Sequence, residues 1–178
     1  MLHHTRTRSI ALALLLGMPL LASAVEPSVQ VGFSPEGTAR QLVLDTIASA
    51  KTSIQVLAYS FQSQDIAQAL ITAHQRVRGS MHRGGQEAKP RQNQRNGHAP
   101  GCEQWVQLRT NDHFHIHHDK VLIVDGDAVE TGSFNYTSSA ETVNSEKVVV
   151  IRGMPEVSRQ FIAHWQSRWE LGVPYLAR

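Results

Sequence analysis

The sequence predicts an α/β protein with a mixed, largely parallel β-sheet flanked by helices. Apolar residues alternate over 29–33, as in a half-buried strand, and residues 38–50 then carry apolar side chains at helical spacing. The same order repeats, with a strand-like run over 53–61 and a second helical pattern over 66–73. Because strands that alternate with helices typically form parallel sheets covered by those helices, we expect a sheet between two helical layers.

The second half of the chain continues this pattern. Residues 120–125 (KVLIVD) form an almost uninterrupted apolar run, which is typical of a central strand buried on both faces. Short strands are expected at 128–131 and 147–151, and Pro155 can begin a final helix whose aromatic stripe we expect in the core. These elements predict one domain over residues 25–178.

Residues 1–24 have the features of a signal peptide. Arg6 and Arg8 precede an apolar run at 10–21, and residues 22–24 (ASA) give the small-x-small pattern of a cleavage site. The alternative is an uncleaved anchor, for which the apolar run is short. We therefore expect the mature chain to be periplasmic or secreted.

The net charge does not by itself indicate nucleic-acid binding. The chain carries 17 Lys and Arg against 15 Asp and Glu, and two of the Arg lie in the leader, so the mature chain has 15 of each sign. A phosphate-binding surface must therefore come from local clustering. Cys102 is the only cysteine, which excludes an intrachain disulfide and a cysteine cluster for zinc.

Residues 76–101 fit neither a helix nor a strand period and are predicted to be irregular. They hold six Lys and Arg, one acid, five Gly and two Pro. A loop of this length is unusual inside a compact domain, and two explanations stay open. The segment is either a basic loop that adds phosphate contacts or a stretch translated out of frame, which its composition slightly favours. Reading the coding DNA in the other frames distinguishes them, since the second explanation requires a hidden apolar strand.

The most specific feature of the chain is a motif of six spaced residues within HDKVLIVDGDAVETGSFN: His118, Lys120, Asp125, Gly132, Ser133 and Asn135. His118 and Lys120 lie two residues apart and share one face of a strand, as can Ser133 and Asn135 on an adjacent strand. An imidazole, an ammonium, a hydroxyl and a carboxamide can therefore converge. The last three can donate to a phosphate, and a neutral imidazole can attack phosphorus. The chain offers no equally good acid to protonate the leaving alcohol.

This motif resembles the HKD signature of the phospholipase D superfamily, and the chain is most similar to the small, single-motif bacterial endonucleases of that superfamily, the Nuc type. The resemblance covers residues 28–75 and 104–172 and fails across 76–101. It implies a phospholipase D-like α/β/α sandwich and a site that needs no metal or other cofactor. It also implies a homodimer, because a chain with one motif would complete its site with a second copy.

The resemblance assigns the main chemical roles to four residues. His118 would be the nucleophile, and the partner's His118 would be the general acid. Lys120 and Asn135 would bind the phosphate, assisted by Ser133.

Three further residues would support the site. Glu146 looks like the acidic residue that orients the nucleophilic histidine, Asp125 looks structural, and Gly132 allows a tight backbone turn. An alternative is a zinc site at His115 and His117, which share a strand face, although no Cys, Asp or Glu cluster accompanies them.

The sequence thus predicts a metal-independent phosphodiesterase, and preferably a non-specific endonuclease that cuts DNA or RNA through backbone contacts and a phosphohistidine intermediate. An alternative is a phospholipase D that acts on lipid headgroups, since both substrates are phosphodiesters. No membrane-binding helix is evident in the mature chain, so no stable membrane association is expected after leader cleavage. A third possibility is an inactive, damaged copy whose disrupted middle prevents folding or dimerisation.

Overall fold

The computed structural model describes residues 25–83 and 107–175, so the predicted leader and residues 84–101 of the predicted irregular segment lie outside the described part. Within it, the strands in chain order are β1 (Ser28–Ser34), β2 (Ile54–Ala58), β3 (Arg109–Thr110), β4 (Lys120–Val124), β5 (Ala128–Gly132), β6 (Glu146–Arg152) and β7 (Val173–Pro174). The helices are α1 (Thr38–Ala48), α2 (Gln64–Arg83), α3 (Ser138–Thr142) and α4 (Pro155–Leu171).

Five strands form one sheet in the order β1-β6-β5-β4-β2, and every neighbouring pair is antiparallel. The α/β architecture with flanking helices is confirmed, but the prediction of a largely parallel sheet is wrong. β1 and β2 do run in the same direction, yet β6, β5 and β4 lie between them. The cause is local, because Asp125 and Gly126 adopt positive φ angles of 55° and 69° and turn β4 directly into β5. β3 and β7 form a separate antiparallel pair.

Helices cover both faces of the five-stranded sheet. On one face, α1 and α2 bury a large apolar cluster with the sheet that includes Ala39, Val43, Ile47, Ile66, Ala73, Leu122, Val124, Val148 and Val150. On the other face, α4 packs on a smaller cluster made of Leu57, Val121, Ile123 and Val129. β4 is buried along its whole length, as predicted, because it has helices on both sides. Phe161 and Trp165 of α4 pack against this smaller cluster, and Trp165 Nε1 donates to Val56 O at 3.2 Å.

The alternating apolar residues of β1 face away from the large cluster. Val29, Val31 and Phe33 are 55%, 51% and 51% exposed, whereas Gly32 between them is buried. Gly32 lies against the start of α1, because a Cβ at this position would come within 2.6 Å of Thr38 O. The strand itself is confirmed, but the expectation that its alternating apolar residues form a buried face is wrong. These large side chains form an exposed row, the β1 strip (Val29, Val31 and Phe33), that the described residues leave uncovered.

α2 extends through Arg83, so residues 76–83 of the segment predicted to be irregular are helical. The preceding turns bury Ile66 and Ala73 in the core and thereby fix the helix. Once a helix is nucleated, each further residue adds a backbone hydrogen bond, so a polar sequence can continue it. None of the helices in the described ranges combines the length and the apolar character needed to cross a membrane.

Candidate active site

The residues of the predicted motif meet at one end of the five-stranded sheet. The antiparallel register places the start of β4, the end of β5 and the start of β6 side by side. His118 lies just before β4, and Lys120 begins it. Ser133 and Asn135 follow β5, and Glu146 begins β6. Strand pairing alone thus brings five of the predicted site residues to one end of the sheet.

Lys120 is the buried cation of this cluster, with a relative exposure of 5%. Its Nζ donates a hydrogen bond to the His118 carbonyl oxygen at 2.8 Å and lies 5.1 Å from the centre of the Tyr59 ring. Burial lowers the pKa of the Lys120 ammonium, while the negative charges of Asp119 and Glu146 act in the opposite direction. The ammonium is poorly screened by water and is therefore a strong site for an anion.

The His118 side chain is exposed and lies against an aromatic ring. The centres of the His118 and Tyr59 rings are 4.6 Å apart, with an interplanar angle of 57°. Tyr59 is fixed by its backbone N–H, which donates to the Asp119 carbonyl oxygen at 2.9 Å just beyond the paired residues of β2 and β4. Sequence reasoning misses Tyr59, because its place in the site depends on that register.

Ser133 is fixed to β6 through Lys147. Its Oγ accepts a hydrogen bond from Lys147 N at 3.1 Å, and its own N–H donates to Lys147 O at 3.1 Å. The strands approach closely here, since a Cβ on Gly132 would lie 2.1 Å from Lys147 O. Gly132 therefore permits the pairing that positions Ser133, whose hydroxyl hydrogen can still donate to a ligand.

Asn135 and Glu146 contribute polar groups at the same edge. Asn135 Oδ1 is buried and has no hydrogen-bond partner among the described residues. Glu146 is half-buried and accepts a hydrogen bond from Asn144 Nδ2 at 3.1 Å. Its charge acts on Lys120, but within residues 25–83 and 107–175 no hydrogen bond joins it to His118. The structure thus brings Glu146 to the cluster without the contact that an orienting role requires.

Asp119 connects the motif to α4. Its Oδ2 lies 3.1 Å from His164 Nε2 in a hydrogen bond and 2.9 Å from His117 Nε2, which is not aligned for one. His164 is 45 residues further along the chain, so the sequence gives no local sign of this contact. His117 therefore faces Asp119, while His115 is exposed. In the described ranges, no group of three or more His, Cys, Asp or Glu side chains is arranged to hold a metal ion.

Asp125 lies at the opposite end of β4, away from this cluster. Its carboxylate accepts hydrogen bonds from the backbone N–H groups of Lys51, Thr52 and Ser53 at 2.8, 2.7 and 2.9 Å. Burial raises the pKa of the Asp125 carboxyl, but the hydrogen bonds from Ser53, Thr52 and Lys51 outweigh it and leave this pKa below its ordinary value. The residue joins the β4–β5 turn to the loop before β2.

Comparisons with known proteins find several related chains. The family described as cardiolipin synthase, PLD-like domain, matches residues 43–169. A phospholipase D of Rickettsia bellii is 30% identical over 143 residues, which cover 79% of this chain and 68% of that protein. Nuc from Salmonella typhimurium, a phospholipase D family member of known structure, is 43% identical, with a TM-score of 0.68 over 85% of this chain and 100% of that one. NucT from Helicobacter pylori shares the fold at 21% identity, with a TM-score of 0.60 over 84% of this chain and 100% of that one.

Proposed function

Because the chain belongs to the phospholipase D superfamily, whose members are phosphodiester hydrolases, we propose that it is a metal-independent endonuclease that cuts DNA or RNA. The observation that carries this proposal is the position of His118 beside the buried Lys120 ammonium, at the edge that Ser133 and Asn135 also reach. A phosphodiester at this edge meets a nucleophile, a cation and neutral donors together. These groups address the sugar-phosphate backbone, so cleavage does not depend on base sequence.

The chemistry has two steps. An unprotonated ring nitrogen of His118 attacks phosphorus while the bond to the leaving oxygen breaks, which gives a covalent phosphohistidine. Lys120, Ser133 and Asn135 stabilise the charge on the non-bridging oxygens, and a general acid protonates the leaving alkoxide. Water then attacks the phosphohistidine, releases the second product and restores the imidazole.

The general acid in this proposal is His118 of the partner subunit, in a homodimer with the site at its two-fold axis. The β1 strip supports such a dimer, since three adjacent large apolar side chains are half-exposed. The strip also reaches the end of the sheet where the candidate site lies, because Phe33 pairs with Lys147, the residue after Glu146. In this proposal a second copy covers the strip and contributes its own His118 to the same phosphate.

A charge on the β1 strip should separate the subunits and stop catalysis. We expect Val31→Asp to give a folded monomer with cleavage reduced at least a hundredfold, because the protonation of the leaving group is lost. Val173→Asp is the matched control, since Val173 is 57% exposed and lies in β7, outside the strip. Sedimentation and cleavage assays on both variants provide the measurement. An active monomer would contradict the shared site.

A phospholipase D that acts on lipid headgroups is the competing function. The Rickettsia bellii relative carries that name, and both substrates present the same charged phosphodiester to Lys120. Nucleic acid is favoured because this chain aligns with all of Nuc at 43% identity but with only 68% of the Rickettsia protein at 30%. The leader expected at residues 1–24 would place the enzyme in the periplasm or outside the cell.

The substrate is tested by offering the purified mature protein DNA, RNA and phosphatidylcholine in parallel, with and without excess EDTA. We expect DNA or RNA to be cleaved at the same rate in both conditions, because the proposed reaction uses only protein side chains. His118→Ala in the same assay excludes a contaminating nuclease. Cleavage of phosphatidylcholine alone would support the phospholipase D function. Loss of cleavage in EDTA would indicate that the reaction needs a metal, and a preparation that cleaves none of the substrates would support a damaged copy.

A further inference from the structure

Two aromatic side chains next to the candidate site remain exposed although they are firmly held. Tyr59 is 51% exposed and Phe61 is 41% exposed, whereas the neighbouring Phe134 and Tyr136 are completely buried. The two exposed rings are two residues apart on the segment that follows β2. Exposing rings of this size is unfavourable in water, so their position beside a nucleophile indicates a binding role.

The backbone around both rings is tied to the motif. Tyr59 N–H donates to Asp119 O at 2.9 Å, and Phe61 forms an isolated parallel bridge with Tyr136. The Phe61 ring meets the buried Tyr136 ring edge-on, with centres 5.9 Å apart. A ligand that stacks on these rings therefore loses little conformational freedom of the protein, since the platform already exists.

The Tyr59 ring also lies against the groups that are proposed to react. It lies 4.6 Å from the His118 ring and 5.1 Å from Lys120 Nζ. A phosphate held by Lys120 and facing His118 therefore has the Tyr59 ring beside it. In a nucleic acid, the group that hangs one sugar away from this phosphate is a base, which offers a flat π-face for stacking.

We propose that Tyr59, with Phe61 next to it, is a stacking site for the base that flanks the scissile phosphate, so that the enzyme binds unpaired nucleic acid in preference to duplex. This inference rests on the proposed nuclease function and narrows its substrate. A base inside a duplex is already stacked on its neighbours and must leave them before it can reach Tyr59, which costs a few kcal/mol. A single strand avoids most of that cost.

The test compares single-stranded oligonucleotides that are identical except for one abasic position, placed in turn on either side of a single cleavable phosphate. For the wild type, we expect the abasic position that faces Tyr59 to lower kcat/KM roughly tenfold or more, as is usual for the loss of a stacked base. Tyr59→Phe should keep this difference. In Tyr59→Ala and Tyr59→Leu, the intact and abasic strands should be cut at nearly equal kcat/KM, and the preference for single strands over duplex should shrink.

The ratio of kcat/KM between the intact and the abasic strand distinguishes a stacking role of Tyr59 from a simple effect on His118. Because Tyr59 contacts His118, its replacement can slow the cleavage of both strands, but only a stacking role removes the difference in kcat/KM between them. Tyr175→Ala, which removes another tyrosine that is 51% exposed, should leave the ratio unchanged. Equal cleavage of intact and abasic strands by the wild type, or a parallel loss on both strands in Tyr59→Ala, would overturn this inference while the nuclease stands. Cleavage of phospholipid alone would overturn both.

Discussion

Replacement of His118 by alanine should lower the rate of phosphodiester cleavage by roughly 10⁴-fold or more, the size of loss that follows removal of a nucleophile. The reaction as proposed has no covalent intermediate without this ring. In the proposed dimer, the same substitution also removes the general acid, because copies of one residue fill both roles. The remaining groups, Lys120, Ser133 and Asn135, would still bind the phosphate, so substrate affinity should change far less than kcat.

The fold should tolerate this substitution, which makes the result easy to interpret. The His118 side chain is exposed, and the interaction that fixes Lys120 uses the His118 backbone oxygen, which alanine retains. Thermal unfolding and sedimentation of His118→Ala should therefore match the wild type. If the folded dimeric variant still cleaved DNA or RNA at near-normal rates, another residue would have to be the nucleophile.

The second large effect concerns Glu130, a carboxyl group buried in the core. Glu130 is 0% exposed and lies in β5 between Leu122 of β4 and Val150 of β6. Tyr136 donates its hydroxyl to Glu130 Oε2 at 2.7 Å. Burial raises the pKa of Glu130 from its ordinary 4.5 to about 8, although the hydrogen bond from Tyr136 acts in the opposite direction.

The raised pKa of Glu130 makes the free energy of unfolding depend on pH. Below pH 4.5 the group is protonated in both the folded and the unfolded chain, so the full stability is present. As the pH rises from 4.5 to about 8, the unfolded chain releases the proton while the folded one keeps it, and the free energy of unfolding falls. Above that range both states are ionised and the loss is complete. A shift of this size corresponds to a loss on the order of 5 kcal/mol.

Glu130→Gln should remove this pH dependence, because an amide of similar shape does not titrate in this range. Urea unfolding at intervals between pH 4.5 and 8.5 gives the difference in unfolding free energy between variant and wild type. That difference should grow in favour of the variant as the pH rises. Glu156→Gln is the matched control, since the Glu156 side chain is 81% exposed. A difference that stays constant over the range would show that Glu130 is not protonated in the folded protein at neutral pH.

The sequence predicts much of the candidate site because the motif is almost entirely local. Lys120 begins β4 and His118 lies just before it, and Ser133 is fixed by the close approach that Gly132 allows to β6. The alternation along each strand is enough to predict that these side chains converge. The roles of the residues come from the family resemblance, and the structure adds the burial of Lys120 and the contact of Tyr59 with His118.

Features that depend on contacts between residues far apart in the sequence could not be predicted from local patterns. The alternation of strands and helices correctly gives β1 and β2 the same direction, but it does not predict the three antiparallel strands that lie between them. The hydrogen bond between Asp119 and His164 and the burial of Glu130 also follow from tertiary packing. Glu130 stands between Val129 and Thr131, so the alternation of its strand predicts a surface position. It is buried instead, because helices cover both faces of that strand.

The phosphohistidine can be sought directly by rapid mixing of enzyme with a 5′-labelled and a 3′-labelled oligonucleotide, followed by quenching in alkaline denaturant. We expect one of the two labels to become covalently attached to the protein during turnover, through a bond that acid breaks and alkali does not. Mass spectrometry should place the modification on His118, and His118→Ala should carry none. Steady cleavage with no protein-bound label at any time in the turnover, or a label on a different residue, would contradict the mechanism.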